Sequence, residues 1–418
     1  MWKAAHPSDA AHPYLELFKD RGVRLLWVGQ ALSDTGSELY RLGAIWLAVN
    51  IAGPDAAWLP IAQSTAMLIL ALGAGAVIDG MSPRWVMIWA DIARALVSGA
   101  VVLVGMTLGL SLPLLILAGV LLAGLQAVFD PALQAVVPRL MPEPHRLRAL
   151  NGLFDVTGRL ASIAGSILGA AIASVAPTIQ LLTANSASFL TSAGSIAAAG
   201  HRFDGTAQEK VRPVAVSERL ARGWRVARAT PGARTVLATA GVSYATRSLG
   251  FALGLPLLLA QGGVAGGLPA LALIMTAQAV GDGLTNLVTV TWKVSNAWRF
   301  LCDGYILRGV GLASIGFAAL FAPPEMAPIA MAIGGFVLGV GGSIAFLQMM
   351  PFFQTRLTVE DATAIFRLRY AILAGSTLLG ALLGPTVFRL LPVSWTIIAC
   401  GAALALAGVW ARRRQPSD

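Results

Sequence analysis

Histidine and cysteine are almost missing from this sequence, at four and two of 418 residues. Cys302 and Cys400 both fall in or beside apolar runs, which leaves no disulfide framework and no thiol pair with metal-ligand spacing. No redox chemistry and no resident cofactor or metal are expected. His6, His12, His145 and His201 all lie in polar segments, so no imidazole is poised in an apolar environment for acid–base or nucleophilic work. Charge is scarce too: charged residues make up 12% of the chain, about half of what a soluble domain carries.

Apolar residues fill the space, at 56% of the chain with a mean hydropathy of +0.73. A membrane crossing needs about 20 of them in a row. Such runs recur at roughly 24–51, 57–79, 84–108, 112–138, 149–174, 177–200, 234–260, 267–291, 299–322, 327–353, 363–388 and 393–411. The expected fold is therefore an all-α integral membrane protein of twelve transmembrane helices. The first twenty residues lack the apolar run of a secretory signal, so the first span is expected to serve as its own insertion signal.

A net charge of +10 would suggest nucleic acid in a soluble protein, but here its placement is what informs. Lys3, Lys19 and Arg21 precede the first span, and Arg84 follows the second. Arg139, Arg146 and Arg148 follow the fourth, Lys293 and Arg299 the eighth, Arg356 the tenth, and Arg412 to Arg414 the last. The alternate loops carry almost none, Arg389 being the exception. The positive-inside rule then puts both termini and the middle loop in the cytoplasm, and the membrane expected for the protein is the cell's inner (cytoplasmic) one.

The chain also repeats itself. Arg159-Leu-Ala-Ser-Ile-Ala-Gly-Ser-Ile-Leu168 returns as Arg369-Tyr-Ala-Ile-Leu-Ala-Gly-Ser-Thr-Leu378, half a chain later. Two pseudo-symmetric six-helix bundles follow, at 24–200 and 234–411. A cytoplasmic segment 1–23 precedes them and a cytoplasmic tail 412–418 follows. Between them, 201–233 carries Arg212, Arg219, Arg222, Arg225 and Arg228 beside Leu220, Trp224 and Val226. That spacing predicts an amphipathic helix lying as a tether on the anionic inner leaflet.

Ionisable groups inside the spans cost roughly 2.5–3.5 kcal/mol each at the bilayer centre, so each needs a partner or a wet cavity. Gln30, Asp34, Glu38 and Arg41 share one face of the first span. Glu38 and Arg41 can neutralise each other there, while Asp34 has no partner in its own helix. Gln126, Asp130 and Arg247 complete the candidates for substrate and proton contact. Gln278, Asp282, Thr285 and Asn286 form a second polar stripe. Arg159 and Asp282 fall at similar depth and could pair across the bundles, or Arg159 could pair with Asp155 within its helix. Arg369 is the equivalent inter-bundle candidate. Gly165/Gly169, Gly335/Gly339 and Gly380/Gly384 have the spacing that lets helices approach closely.

With these features the chain resembles the major facilitator superfamily over residues 20 to 411. Gly75-Ala-Val-Ile-Asp79-Gly-Met-Ser-Pro-Arg84, followed by Asp91 and Arg94, looks like the family's signature loop between the second and third helices. Gly80, Ser82 and Pro83 depart from it. Phe129-Asp130-Pro131-Ala132, Val137-Pro138 and Leu150-Asn151-Gly152 are similar to the branch of bacterial exporters for drugs, siderophores and macrolides. Gly165 to Ala170 keeps the glycines of the exporters' fifth-helix motif but has serine for proline, and the fourth span lacks the arginine usual in proton-coupled drug antiporters. The resemblance implies alternating access: a monomer exporting a small amphipathic compound, with protons as the coupling ion. A lipid or lysolipid translocator of the same fold, a divalent-metal exporter and a membrane-embedded enzyme are the alternatives. The near-absence of histidine weighs against the last two.

Overall fold

The computed structural model describes residues 16–78, 81–141, 143–200, 216–262, 264, 266–289 and 296–415. Every regular element among those residues is a helix, because an apolar medium offers no partner to an unpaired backbone amide and a helix pairs its amides internally. The helices are α1 (Arg21–Ala52), α2 (Trp58–Ile78), α3 (Pro83–Thr107), α4 (Leu112–Leu140), α5 (Pro144–Val175), α6 (Gln180–Ala199), α7 (Val216–Ala229), α8 (Ala233–Ala260), α9 (Gly267–Thr289), α10 (Ala297–Phe321), α11 (Ala327–Gln354), α12 (Val359–Leu390) and α13 (Val393–Arg413).

Local chemistry sets their ends. The Asp20 carboxylate accepts from the Gly22 and Val23 amides at 2.7 and 3.2 Å and starts α1, and Gly53, with φ +54°, stops it. Proline near the first turn opens α3, α4, α5 and α11. Within α8 the stretch Arg247–Gly254 is wound as a π-helix immediately before Pro256, which has no amide to donate to the preceding turn.

Ten stretches among the described residues are long and apolar enough to cross a membrane. The first, Arg21–Met67, takes in α1 and much of α2, with a 3-10 turn at Gly53–Ala57 between them. Helix α6 spans 20 residues but is diluted by Thr183, Asn185, Ser186, Ser188, Thr191 and Ser192. The arrangement is inverted relative to a soluble protein. Leu96, Leu103, Leu160, Leu287, Phe321 and Leu406 face outward, while Gln30, Asp91, Arg94, Ser98 and Asn185 are buried.

Packing falls into two sets joined through α7. In α1–α6, α1 lies on α5 and α6, α3 on α4 and α6, and α2 on α4; in α8–α13 the same relations recur, with α8 on α12 and α13, α10 on α11 and α13, and α9 on α11. The sets meet reciprocally through α5 against α9 and α12 against α2, with α8 also touching α1. Glycine makes the close approaches. A Cβ at Gly165 would meet the Glu38 side chain on α1, one at Gly339 the Gln278 carbonyl on α9, and one at Gly380 the Ala245 carbonyl on α8.

Gly339→Val is accordingly expected to cost about 1–3 kcal/mol through overpacking. Gly194→Ala, where a Cβ meets nothing within 4 Å, should gain about 0.5–1 kcal/mol from helix entropy. Melting temperatures of the purified variants in detergent check both signs.

The linker helix α7, expected as a leaflet tether, packs on the second set. Gly223 lets it press on Ala364 and Leu368 of α12, Ala227 is fully buried, and Arg222 reaches Asp361 at 3.5 Å. Its apolar side is largely spent on the second set rather than offered to lipid. Trp224 stays exposed, under the Arg228 guanidinium at 5.4 Å. Arg212 lies outside the described residues.

Candidate functional site

A cavity of about 450 Å³ opens between the two sets. From the first set Tyr40, Arg41 and Ile45 of α1, Leu59, Gln63 and Met67 of α2 and Leu122 of α4 line it; from the second come Tyr244, Arg247 and Phe251 of α8, Met275 of α9 and Thr377 of α12. Its size and its mostly apolar wall with a few polar groups are those of a small-molecule site.

Arg41 and Arg247 are the charged residues of this lining among the described residues. Arg41 Nε donates to Glu38 Oε2 at 2.9 Å, and its Nη2 makes a second contact with the same oxygen. Arg247, on the first residue of the π-helical turn, has no ion-pair partner among the described residues. The acid in its field is Glu38, already bound to Arg41, and its other charged neighbours are Arg41 and Arg308 themselves.

The remaining first-span candidates sit elsewhere. Gln30 Nε2 donates to Asp34 Oδ1 at 2.8 Å, so Asp34 does find a partner in its own helix. Gln126 and Asp130 belong to a network around Arg94 inside the first set, not to the cavity wall. Arg94 Nη1 donates to Gln126 Oε1 at 2.6 Å, and Gln126 Nε2 passes a bond to Asp130 Oδ1 at 2.5 Å. Arg94 Nη2 lies 2.7 Å from Asp91 Oδ1, and both side chains are at most 2% exposed. The Phe129 and Phe189 rings flank the guanidinium at 4.2 and 4.7 Å. Asp34 feels both Asp130 and Arg94. Asp91 and Arg94, read from the sequence as part of a loop motif, are the hub of this network. Arg84 of the same motif donates to the Ala197 carbonyl at 2.9 Å, capping the end of α6. Gly75 lies within α2, and Asp79 lies outside the described residues.

Two ion pairs bridge the sets on either side of the cavity. Arg159 sits between Asp155, at 3.1 Å in its own helix, and Asp282 of α9, at 3.2 Å. The structure thus makes both pairings that the sequence left open. Asp282 is also held by the Ser343 hydroxyl of α11, which Asn286 reaches at 2.8 Å. About two turns along α9 separate this cluster from Met275. Toward the opposite end, Arg389 Nη2 contacts both oxygens of Asp55, in the turn after α1, at 2.6 and 2.7 Å. Sequence reasoning met Arg389 as an anomaly of loop charge and did not find its partner, 334 residues away.

Arg369 is a correction. Expected between the bundles, it is 3% exposed inside the second set and donates to the Tyr244 hydroxyl at 2.7 Å, with the Phe346 and Tyr370 rings beside it. Its sequence copy Arg159 meets an acid of the other set because α5 runs against α9, whereas α12 at this level faces α8. Arg308 was missed altogether. It packs against Gly342 near Tyr244 and Tyr305, without an ion-pair partner among the described residues. The signal was a lone arginine within an apolar run, and Asp303, the nearest acid in sequence, turns to Arg412 at 3.0 Å.

Two sets of membrane helices related by a repeated packing scheme, with a polar-pointed cavity between them, define a membrane transporter of the major facilitator type. A family model described as transmembrane secretion effector matches residues 15–415, and the chain belongs to that family. No curated protein matches it in sequence. Among solved structures it is similar to a bacterial homologue of the iron transporter ferroportin in an inward-facing state, at 14% identity and TM-score 0.74 over 94% of this chain and 98% of that one. It is also similar to an auto-inhibited peptide transporter of the POT family, at 13% and 0.72 over 96% and 98%, and to a bacterial metal transporter, at 14% and 0.67 over 94% and 98%. At such identities the likeness is one of fold.

Proposed function

We propose that the protein is a secondary active transporter, not an enzyme, that exports a small amphipathic compound by alternating access, driven by protons. The observation that carries this reading is the cavity lined from both sets and bracketed by Arg159–Asp282 on one side and Arg389–Asp55 on the other. Rocking one set against the other requires those pairs to break in turn while the site between them stays built. Counting α1 and α2 as separate crossings and including α6 gives twelve spans in two pseudo-symmetric bundles. Both termini are then cytoplasmic in the inner membrane, with the protein acting as a monomer. The family description as a secretion effector supports the outward direction.

Asp34 and Glu38 are the proposed proton carriers. They stand one helical turn apart on α1, Glu38 beside the cavity cation Arg41 and Asp34 beside the Arg94 network. A carboxylate whose surroundings change as the sets move binds its proton differently in the two states, and that difference is the coupling. A divalent metal is a poorer cargo, because a dication would meet arginines in the cavity wall.

Efflux of a mixed panel of amphipathic dyes, macrolides and catecholate chelators from expressing cells tests the reading. Export is expected to stop with a protonophore and to fall to background in Asp34→Asn/Glu38→Gln. Export that survives the double neutralisation removes these carboxylates from the mechanism. No export of any compound by protein shown to be inserted would replace small-molecule efflux with lipid or lysolipid translocation.

A further inference from the structure

We infer that the cargo is an amphipathic organic anion whose acidic group, a carboxylate, sulfonate or phosphate, is seated at Arg247 with Arg41 opposite. The inference rests on the transport reading for what happens after binding, but the binding site stands on its own geometry.

Among the described residues the cavity lining contains Arg41 and Arg247 and no aspartate or glutamate. Glu38 answers Arg41. Nothing among the described residues forms an ion pair with Arg247, and Arg308, a third cation in its field, has none either. A guanidinium at mid-membrane is tolerated when it is paired or faces a wet cavity; Arg247 has the cavity and lacks the pair. Arg41 and Arg247 share the cavity wall with Arg308 in the field behind them, while the acids that act on these arginines, Glu38 and Asp282, are committed to Arg41 and to Arg159 and Ser343, so the site is one or more negative charges short. The guanidinium fork matches the geometry of a carboxylate, sulfonate or phosphate.

The rest of the wall specifies the remainder of the molecule. Tyr244 and Ser248 flank Arg247 with hydroxyls, although the Ser248 hydroxyl already donates to the Thr377 carbonyl at 2.8 Å. Met67, Phe251 and Met275 add apolar surface to the same wall. Tyr244 is held in place by Arg369 at 2.7 Å, so the buried arginine of the repeat acts as a positioning group behind the site. A cation drug would lose its charge complement here, and a fully apolar one would leave Arg247 unanswered.

The test uses the full-length protein purified in a neutral detergent and four probes: 1-naphthalenesulfonate, 1-naphthoate, 1-naphthylmethylammonium and lysophosphatidylglycerol. Binding is read as stabilisation against heating and as an affinity. The two naphthyl anions are expected to bind at least tenfold more tightly than the ammonium analogue. Arg247→Gln should weaken them about tenfold to a hundredfold, the worth of a charge-assisted hydrogen bond, and Arg247→Lys should keep part of the affinity. Arg41→Gln is the second variant, expected to act in the same direction and more weakly, and both are first shown to elute as folded monomers. Anion binding confined to lysophosphatidylglycerol, and lost in Arg247→Gln, supports the same chemistry with a lipid as its source. Equal binding of the ammonium compound, anion affinity unchanged in Arg247→Gln, or no stabilisation by any anion overturns the inference. Counterflow in proteoliposomes separates this from the transport reading. Arg247-dependent binding without counterflow sinks transport and leaves the site. Counterflow of the ammonium compound, untouched by Arg247→Gln, does the reverse.

Discussion

Arg94→Met is expected to leave little folded protein, costing about 3–5 kcal/mol, because it strips the partner from a carboxylate that has no access to water. Asp91 is fully buried, and the Arg94 guanidinium at 2.7 Å is the countercharge it meets. The same guanidinium holds Gln126, which in turn holds Asp130, and it fills the space between the Phe129 and Phe189 rings. Removing it therefore leaves an unpaired acid, an orphaned amide and a gap between two aromatic faces of α4 and α6. The double variant Asp91→Asn/Arg94→Met removes both charges while keeping the volumes similar, and more than half of the lost stability should return. Melting temperature and the monodisperse fraction after extraction measure both. An Arg94→Met protein as stable as its parent would show that neither the pair with Asp91 nor the contacts of Arg94 with Gln126, Phe129 and Phe189 hold α3 in place.

The parts of this fold legible in the sequence are those carried by local spacing. Apolar runs declare helices because a crossing must pair its own backbone. Glu38 and Arg41, or Asp155 and Arg159, declare their contacts because three or four residues on a helix are one turn. Gly165, Gly339 and Gly380 were legible as close approaches because only a missing side chain lets two helix backbones touch. Asp282 was reachable from Arg159 by counting depth, since the membrane gives both helices a common ruler. What stayed hidden depends on which helix faces which. Arg94 joins α3 to α4 and, through Gln126 and Asp130, comes within reach of Asp34 on α1; no spacing within α3 reveals that. Asp55, in the turn after α1, and Arg389, at the end of α12, are far apart in the chain. Arg308 stands alone because Asp303 is drawn to Arg412, a tertiary choice. The repeat misled for Arg369, since identical residues in equivalent helices meet different partners when the partner belongs to the other set.

Reversing the charge of Arg159 should cripple transport more than neutralising it. Arg159→Asp would put a third carboxylate beside Asp155 and Asp282, where Arg159 now lies 3.1 and 3.2 Å from them. Like charges about 4 Å apart repel by about 4 kcal/mol at the effective dielectric of a protein surface; the part contributed by Asp282 acts only in the state that brings α5 and α9 together at this level, whereas Asp155, on the same helix, repels in both. The equilibrium between the two orientations is then displaced by a factor of a hundred or more, and a transporter held in one orientation does not cycle. Arg159→Gln removes the attraction without adding repulsion, so it should lose about tenfold. The swap Arg159→Asp/Asp282→Arg restores one cross-set pair but sets Asp155 four residues along the same helix from the carboxylate introduced in place of Arg159. Recovery should be partial in the double variant and fuller in Asp155→Asn/Arg159→Asp/Asp282→Arg. Transport rates of the five proteins, normalised to inserted protein, give the order parent, triple, double, single reversal, with the Gln variant above the reversal. A double variant no better than Arg159→Asp would mean that Asp282 serves Ser343 and Asn286 inside its own set, and that the contact with Arg159 does not gate. Recovery in the predicted order requires that charge across α5 and α9, and not the identity of either side chain, sets how long that end of the site stays shut.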